Sequence, residues 1–261
     1  MRFESYGDIK LHDSGGDSRI ELLFVPGFGG PVTWKHQLKY FSDCFRTLTF
    51  RTEKRDLESQ TEAARKILNR KNLENVVLVA SDVGNFVVRE HGRRENVSAN
   101  ILTGFTGDIP ETGEYRYRIT AKALKRKPKL AKKVLFSQNT DYSVARDLCE
   151  DLEPMQFEEL ESYREADLRP LKNALYIRGR DDRFSSDSDR RSLEPDVSFR
   201  KLSGGSLCFY EKPEEFNKAV YDFVQRLADF MESREIRERR ENNRSLDEYR
   251  QSSLEVDTKR W

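Results

Sequence analysis

Histidine is scarce in this sequence of 261 residues, and His12, His36 and His91 are the whole supply. Any reaction that needs an imidazole base must draw on one of those three positions. Cysteine is equally rare. Cys44, Cys149 and Cys208 stand far apart, a spacing that suits reduced thiols better than a disulfide framework or a zinc site. No apolar run approaches the ~18 residues of a membrane span, and Met1-Arg2-Phe3-Glu4 carries no apolar signal region. A cytoplasmic protein with no membrane span is expected. Charge of one sign is missing too: the formal net charge is +1, which excludes a polyanion partner drawn by the whole molecule and leaves only local patches to act. No nucleic acid partner, no metal and no cofactor is expected, and no internal repeat is visible.

What is present is a contrast between short apolar runs and a heavily charged remainder. Hydrophobic and charged residues each make up 36%, so the core must be concentrated in a few strands. The length suits one large α/β domain. Apolar runs at residues 20–25, 47–50, 76–80, 100–105, 174–178 and 197–202 alternate with helical spacing at 32–41, 57–69, 83–89 and 211–231. That rhythm predicts a mostly parallel central sheet flanked by helices. Residues 2–12 predict two short antiparallel strands ahead of it.

The run Val76-Val77-Leu78-Val79-Ala80 stops at Ser81-Asp82-Val83-Gly84 and enters a helix. This is the pattern of a strand-turn-helix elbow, in which the tip residue projects above the sheet and small residues two before and two after it permit close packing. Ala80 and Gly84 occupy the flanking places, so the tip is Asp82. Ser81 is the other candidate nucleophile, but its next glycine is three residues away instead of two. Asp82 also has a purely structural reading, as a carboxylate that caps a helix N-terminus. Ahead of the elbow, Pro26-Gly27-Phe28-Gly29-Gly30 is a loop that can aim backbone N–H groups at a ligand oxygen. It has neither the lysine of a phosphate loop nor the spacing of a dinucleotide turn.

Four landmarks therefore stand in order: the Gly-rich loop, the elbow, Gly179-Arg180-Asp181-Asp182 at a strand end, and Ser203-Gly204-Gly205-Ser206 before Glu211-Lys212-Pro213-Glu214-Glu215-Phe216. Together with Trp34, Gln37-Leu38 and the stretch Asp167 to Gly179, they resemble the α/β-hydrolase superfamily of the compact lidded kind. The resemblance covers about residues 19–105 and 165–231. It implies Asp82 as nucleophile, Asp182 as the triad acid, and the N–H groups of Phe28 and Val83 as the oxyanion hole. The family's histidine position falls on Ser206. An aspartate nucleophile resembles that of haloalkane dehalogenases and epoxide hydrolases, which form an alkyl-ester intermediate that a histidine-activated water then cleaves. Val83 stands where dehalogenases carry a halide-binding tryptophan, and Arg51 to Asp56 replaces the family's usual Gly-rich loop.

Between the strands, about residues 108–168 read as a small helical lid. A basic cluster there (Lys122, Lys125, Arg126, Lys127, Lys129, Lys132 and Lys133) precedes an acidic one (Glu150 to Glu161). Either these helices solvate themselves and pair with one another, or the basic helix recognises an anion or a membrane surface. Tyr115, Tyr117 and Tyr142 are candidate lid tyrosines and Cys208 a candidate site thiol, with core packing as its alternative. The domain expectation is a core over 1–231 carrying the lid, then a charged extension over 232–261 that is helical or disordered and can bind a protein partner. Two functions follow. One is a hydrolase with altered or weak activity on a small ester, epoxide or haloalkane held under the lid. The other is a catalytically inactive member that binds a small ligand or a protein.

Overall fold

A computed structural model describes residues 1–70, 73–104, 124–153, 155–164, 166, 171, 173–185 and 197–258, with no side-chain detail at 70, at 157 or beyond 238. Its centre is an eight-stranded sheet in the order β1-β2-β4-β3-β5-β6-β7-β8. β1 (Glu4–Tyr6) and β2 (Ile9–Asp13) form an antiparallel hairpin, and β2 runs antiparallel to β4 (Arg46–Arg51). From β4 onward every neighbouring pair is parallel, through β3 (Glu21–Val25), β5 (Val76–Ser81), β6 (Val97–Thr103), β7 (Ala174–Gly179) and β8 (Ser198–Leu202). β3 and β5 are buried along their whole length, which is why they read as unbroken apolar runs: a parallel strand covered on both faces has no polar side. β8, at the sheet edge, is the opposite case, with Arg200 and Lys201 exposed.

The helices cover both faces. The expected helix over 32–41 is divided into a 3-10 turn, Pro31–Trp34, and α1, Lys35–Phe41. α2 (Leu57–Arg70) buries Ala63, Ala64, Ile67 and Leu68 on one face, as their spacing predicts. α3 (Gly84–His91) follows the elbow. The strand expected at 100–105 lies at 97–103, and Phe105 falls outside the described residues.

Between β6 and β7 the described chain forms helices Pro128–Leu135, Tyr142–Asp151 and Phe157–Glu161. Tyr115, Tyr117 and Lys122 lie outside the described residues, and Tyr142 is exposed. Among the described residues the acidic lid side chains find partners elsewhere. Asp147 and Asp151 bind Lys35 at 2.7 and 3.2 Å, Glu153 binds Arg51, and Glu159 accepts the backbone N–H of Arg55 at 2.8 Å. The acidic half of the lid is thus tied to α1 and to the segment after β4, because it lies over their cationic side chains.

By contact the chain divides into two compact units, Met1–Tyr221 and Asp222–Trp261. The helix expected to close near residue 231 is continuous over Pro213–Thr258. No glycine or proline interrupts residues 232–258, so nothing in the local chemistry stops it. No described helix is long and apolar enough to cross a membrane.

Trp34 anchors the first helical layer. Its indole N–H donates to the Val25 carbonyl at 3.0 Å, and its ring centroid lies 4.3 Å from that of Phe209 and 5.4 Å from that of Phe24. Trp34→Ala leaves a cavity and removes the indole hydrogen bond to the Val25 carbonyl. The expected loss is about 3–5 kcal/mol, read as a fall in melting temperature of about 2–4 °C per kcal/mol. A loss under about 1 kcal/mol would be too small for a fully buried aromatic anchor.

Candidate active site

The elbow is where the sheet presents a side chain to the site. At the end of β5 the backbone of Asp82 takes φ 51°, one of two non-glycine residues with positive φ among those described. A left-handed conformation at a non-glycine residue is costly and needs outside support. The support is specific. Asp82 N–H donates to Thr103 O at 3.1 Å, Asn85 N–H to Asp82 O at 3.0 Å, and the Asn85 amide to Thr103 O at 2.9 Å. Glycines then admit the neighbouring backbone: a Cβ on Gly27 would stand 2.5 Å from Ser81 O, and one on Gly84 would stand 3.0 Å from Pro26 O. A Cβ on Gly104, at φ 73°, would collide with the Asp82 carboxylate. The loop after β3 therefore lies directly on the elbow, and the end of β6 lies against Asp82.

Asp82 is buried, with 7% of its surface exposed. Among the described residues none donates a hydrogen bond to its carboxylate. Burial, and secondarily the negative charge of Asp182, push its carboxyl well above the usual range and favour the protonated form. Asp182 is equally buried but richly bonded. It accepts from Ser206 Oγ at 2.5 Å, from Ser185 Oγ, and from the backbone N–H groups of Phe184 at 2.9 Å and Ser185 at 3.3 Å. The sequence-predicted Asp182 and Ser206 are thus in direct contact, and Asp82 lies within electrostatic reach of them.

Phe28 and Val83, the expected oxyanion donors, are both buried. Val83 precedes the first turn of α3. Phe28 sits in the loop held by the Gly30 N–H to Gly27 O bond of 3.1 Å, and its carbonyl accepts from Arg55 at 3.4 Å. The histidines are engaged elsewhere: His12 with Arg2 O at 2.8 Å, His91 with Thr61 O at 2.8 Å, and His36 edge-on to the Tyr210 ring with centroids 4.9 Å apart. Cys208 is fully buried, 3.8 Å from Thr103 Oγ1, and burial pushes its thiol up to about 12. That is the behaviour of a packing cysteine, not of a thiolate nucleophile.

Two residues of the site escape sequence reasoning. Ser185 caps Asp182 from three positions on, a local Asp-x-x-Ser pattern that signals such a turn. Glu211 is read only as part of a motif, yet its buried carboxylate accepts from Gly205 N–H at 2.8 Å, Ser137 N–H at 3.1 Å, and the hydroxyls of Ser137 and Thr140. These hydrogen bonds hold its carboxyl below the ordinary value despite burial. Glu211 therefore fastens the Ser206 loop to the lid. No sequence signal links positions so far apart.

No protein-family model matches the sequence, and no curated protein matches it. Solved structures do. A thermophilic esterase from Thermogutta terrifontis superposes with a TM-score of 0.66 at 17% identity, covering 84% of this chain and 93% of its own. The enol-lactonase of Burkholderia xenovorans gives 0.67 at 15% identity over 86% of this chain and 100% of that one. An alpha/beta hydrolase fold protein from Chitinophaga pinensis gives 0.67 at 13% identity over 85% and 96%. At these identities the likeness concerns the fold, and the fold of this chain is the α/β-hydrolase fold.

The burial of the Asp82 carboxyl has a consequence for stability. Its folded pKa is raised above the unfolded value, so between the two values the folded state retains a proton that the unfolded state releases. Its contribution is full below the unfolded value and is lost as pH rises through the folded one. Asp82→Asn removes that loss. The variant is expected to melt above the parent by a few degrees at pH 7–8, at about 2–4 °C per kcal/mol, with the gap closing towards pH 4. A gap that stays constant across the range in thermal melts would contradict the assignment.

Proposed function

We propose that this protein is an α/β-hydrolase-type protein that accepts a small ester, epoxide or haloalkane at Asp82 under the lid, with turnover weak because Ser206 stands at the position of the base. One observation carries the reading: a non-glycine carboxylate is held at φ 51° at the elbow tip, and its nearby partner acid Asp182 is bonded to a serine hydroxyl at 2.5 Å. In the first step an ionised Asp82 oxygen attacks carbon. The carbon–halogen bond breaks and halide leaves, or the epoxide C–O bond opens to an alkoxide that takes a proton from water and leaves hydroxide. The second step needs water deprotonated beside the new ester. Ser206 already donates its proton to Asp182 and does not act as a base near neutral pH, so the alkyl-enzyme accumulates.

A second reading is favoured by the elevated pKa of Asp82. A protonated carboxyl is not a nucleophile, and it donates a hydrogen bond to a ligand acceptor. On that reading the protein is a catalytically inactive member of the fold that binds a small molecule, and its C-terminal extension is the place for a protein partner. A cytoplasmic setting with reduced cysteines accompanies either reading.

Intact mass spectrometry after incubation with epoxides and haloalkanes separates the two. The expected result is an adduct on Asp82 that forms faster as pH rises and Asp82 ionises, is absent in Asp82→Asn, and is released in Ser206→His. Binding of the same compounds with no adduct up to pH 9 would leave the binding reading in place. Neither adduct nor binding would remove both.

A further inference from the structure

The lid carries a basic concavity that plays no part in the chemistry above. Lys129, Lys132 and Lys133 lie at i, i+3 and i+4 on the Pro128–Leu135 helix and so share one face. With Arg183, from the segment after β7, and with Phe136 and Ser137, they line a cavity of about 250 Å³. Arg183 is held in place by donating from Nη1 to the Lys133 carbonyl at 3.1 Å.

The cluster differs from five other described cations. Lys35, Arg46, Arg51, Arg65 and Lys66 each meet a carboxylate. Among the described residues no carboxylate is within ion-pairing distance of Lys129, Lys132, Lys133 or Arg183. Asp141, at longer range, feels the charge of Lys132. The net charge of +1 shows that this is local concentration and not a generally basic surface. Four like charges around one hollow repel one another unless an anion neutralises them. Ser137, which lines the same hollow, is bonded through Glu211 to Gly205, so the wall of the cavity is braced from the core side.

We propose that this cavity is an anion site for a phosphomonoester group on a small molecule. A doubly charged tetrahedral oxyanion matches several ammonium groups and a guanidinium that recognises paired oxygens. The volume is below the roughly 300–1,000 Å³ of sites for drug-sized ligands, which favours a phosphate headgroup with a short appendage over a nucleotide. Occupancy joins the lid helix to the segment that follows Asp182.

The test is calorimetric titration of the full chain with inorganic phosphate and with glycerol phosphate, at constant ionic strength set by chloride. Saturable one-to-one binding with Kd at or below about 1 mM is expected, together with a phosphate-specific rise in melting temperature. Lys133→Gln with Arg183→Gln should weaken binding at least tenfold. Lys129→Gln with Lys133→Gln, both exposed positions, should do the same and guards against loss of the Arg183 contact to the fold. Lys10→Gln, exposed on β2, should leave binding unchanged. A parallel arm uses phosphatidylcholine vesicles with and without phosphatidic acid. Binding of small phosphates with or without the vesicles supports the site, and the vesicle arm identifies whether a lipid headgroup also enters. Vesicle binding without small-phosphate binding would mean planar electrostatic attachment and would overturn the pocket. So would an absence of saturable binding up to about 10 mM, or equal binding by the parent and both double variants.

Discussion

The constraint on which the site depends is the close approach of three stretches of backbone at the ends of β3, β5 and β6. Gly27, Gly84 and Gly104 let the loop after β3, the first turn of α3 and the end of β6 meet at distances that a Cβ would forbid. That convergence holds Asp82 in a conformation that costs on the order of 1–3 kcal/mol and lifts its side chain off the sheet. The hydrogen bonds from Asp82 N–H and the Asn85 amide to one carbonyl, that of Thr103, complete the support. Ligands in open α/β sheets bind beyond the carboxyl ends of the strands, and here that region is framed by backbone geometry before any reactive group is considered.

The two buried aspartates of the site live in opposite environments. Asp182 is surrounded by donors from Ser206, Ser185 and Phe184, whereas Asp82 has burial and a like charge. A neutral imidazole between them would be a proton acceptor, and once protonated a positive charge. The serine hydroxyl of Ser206 brings a hydrogen bond to Asp182 and takes neither of those forms near neutral pH. Burial and the neighbouring Asp182 charge account for the raised pKa of Asp82.

Much of this was legible in the sequence. Strands β3 and β5 announce themselves because burial on both faces permits only apolar residues. The elbow is legible because the tip of such a turn tolerates only small neighbours, whereas Asp182 and Ser206 are singled out through the family resemblance, and the structure places them in contact. What stayed hidden involves side chains that meet across the fold. Glu211 reaches Ser137 and Thr140, and the lid carboxylates choose Lys35, Arg51 and Arg55 over the lysines nearer in sequence. Such choices depend on which surfaces tertiary packing brings together, and no local pattern encodes them. In the sequence the extent of the last helix stays open between helix and disorder beyond residue 231, because hydrophobic periodicity fades there while helix propensity does not.

The margins of the sheet bear on how copies of this chain coexist at high concentration. An open sheet ends in two rows of unpaired backbone groups that can template another strand. Here one margin is β1, only Glu4–Tyr6, and the other is β8, five residues long with Arg200 and Lys201 turned to the exterior. Short and charged margins are poor templates. Continuous sheet growth from one molecule to the next is thereby discouraged at both ends, even though the strands between them are among the most apolar in the chain.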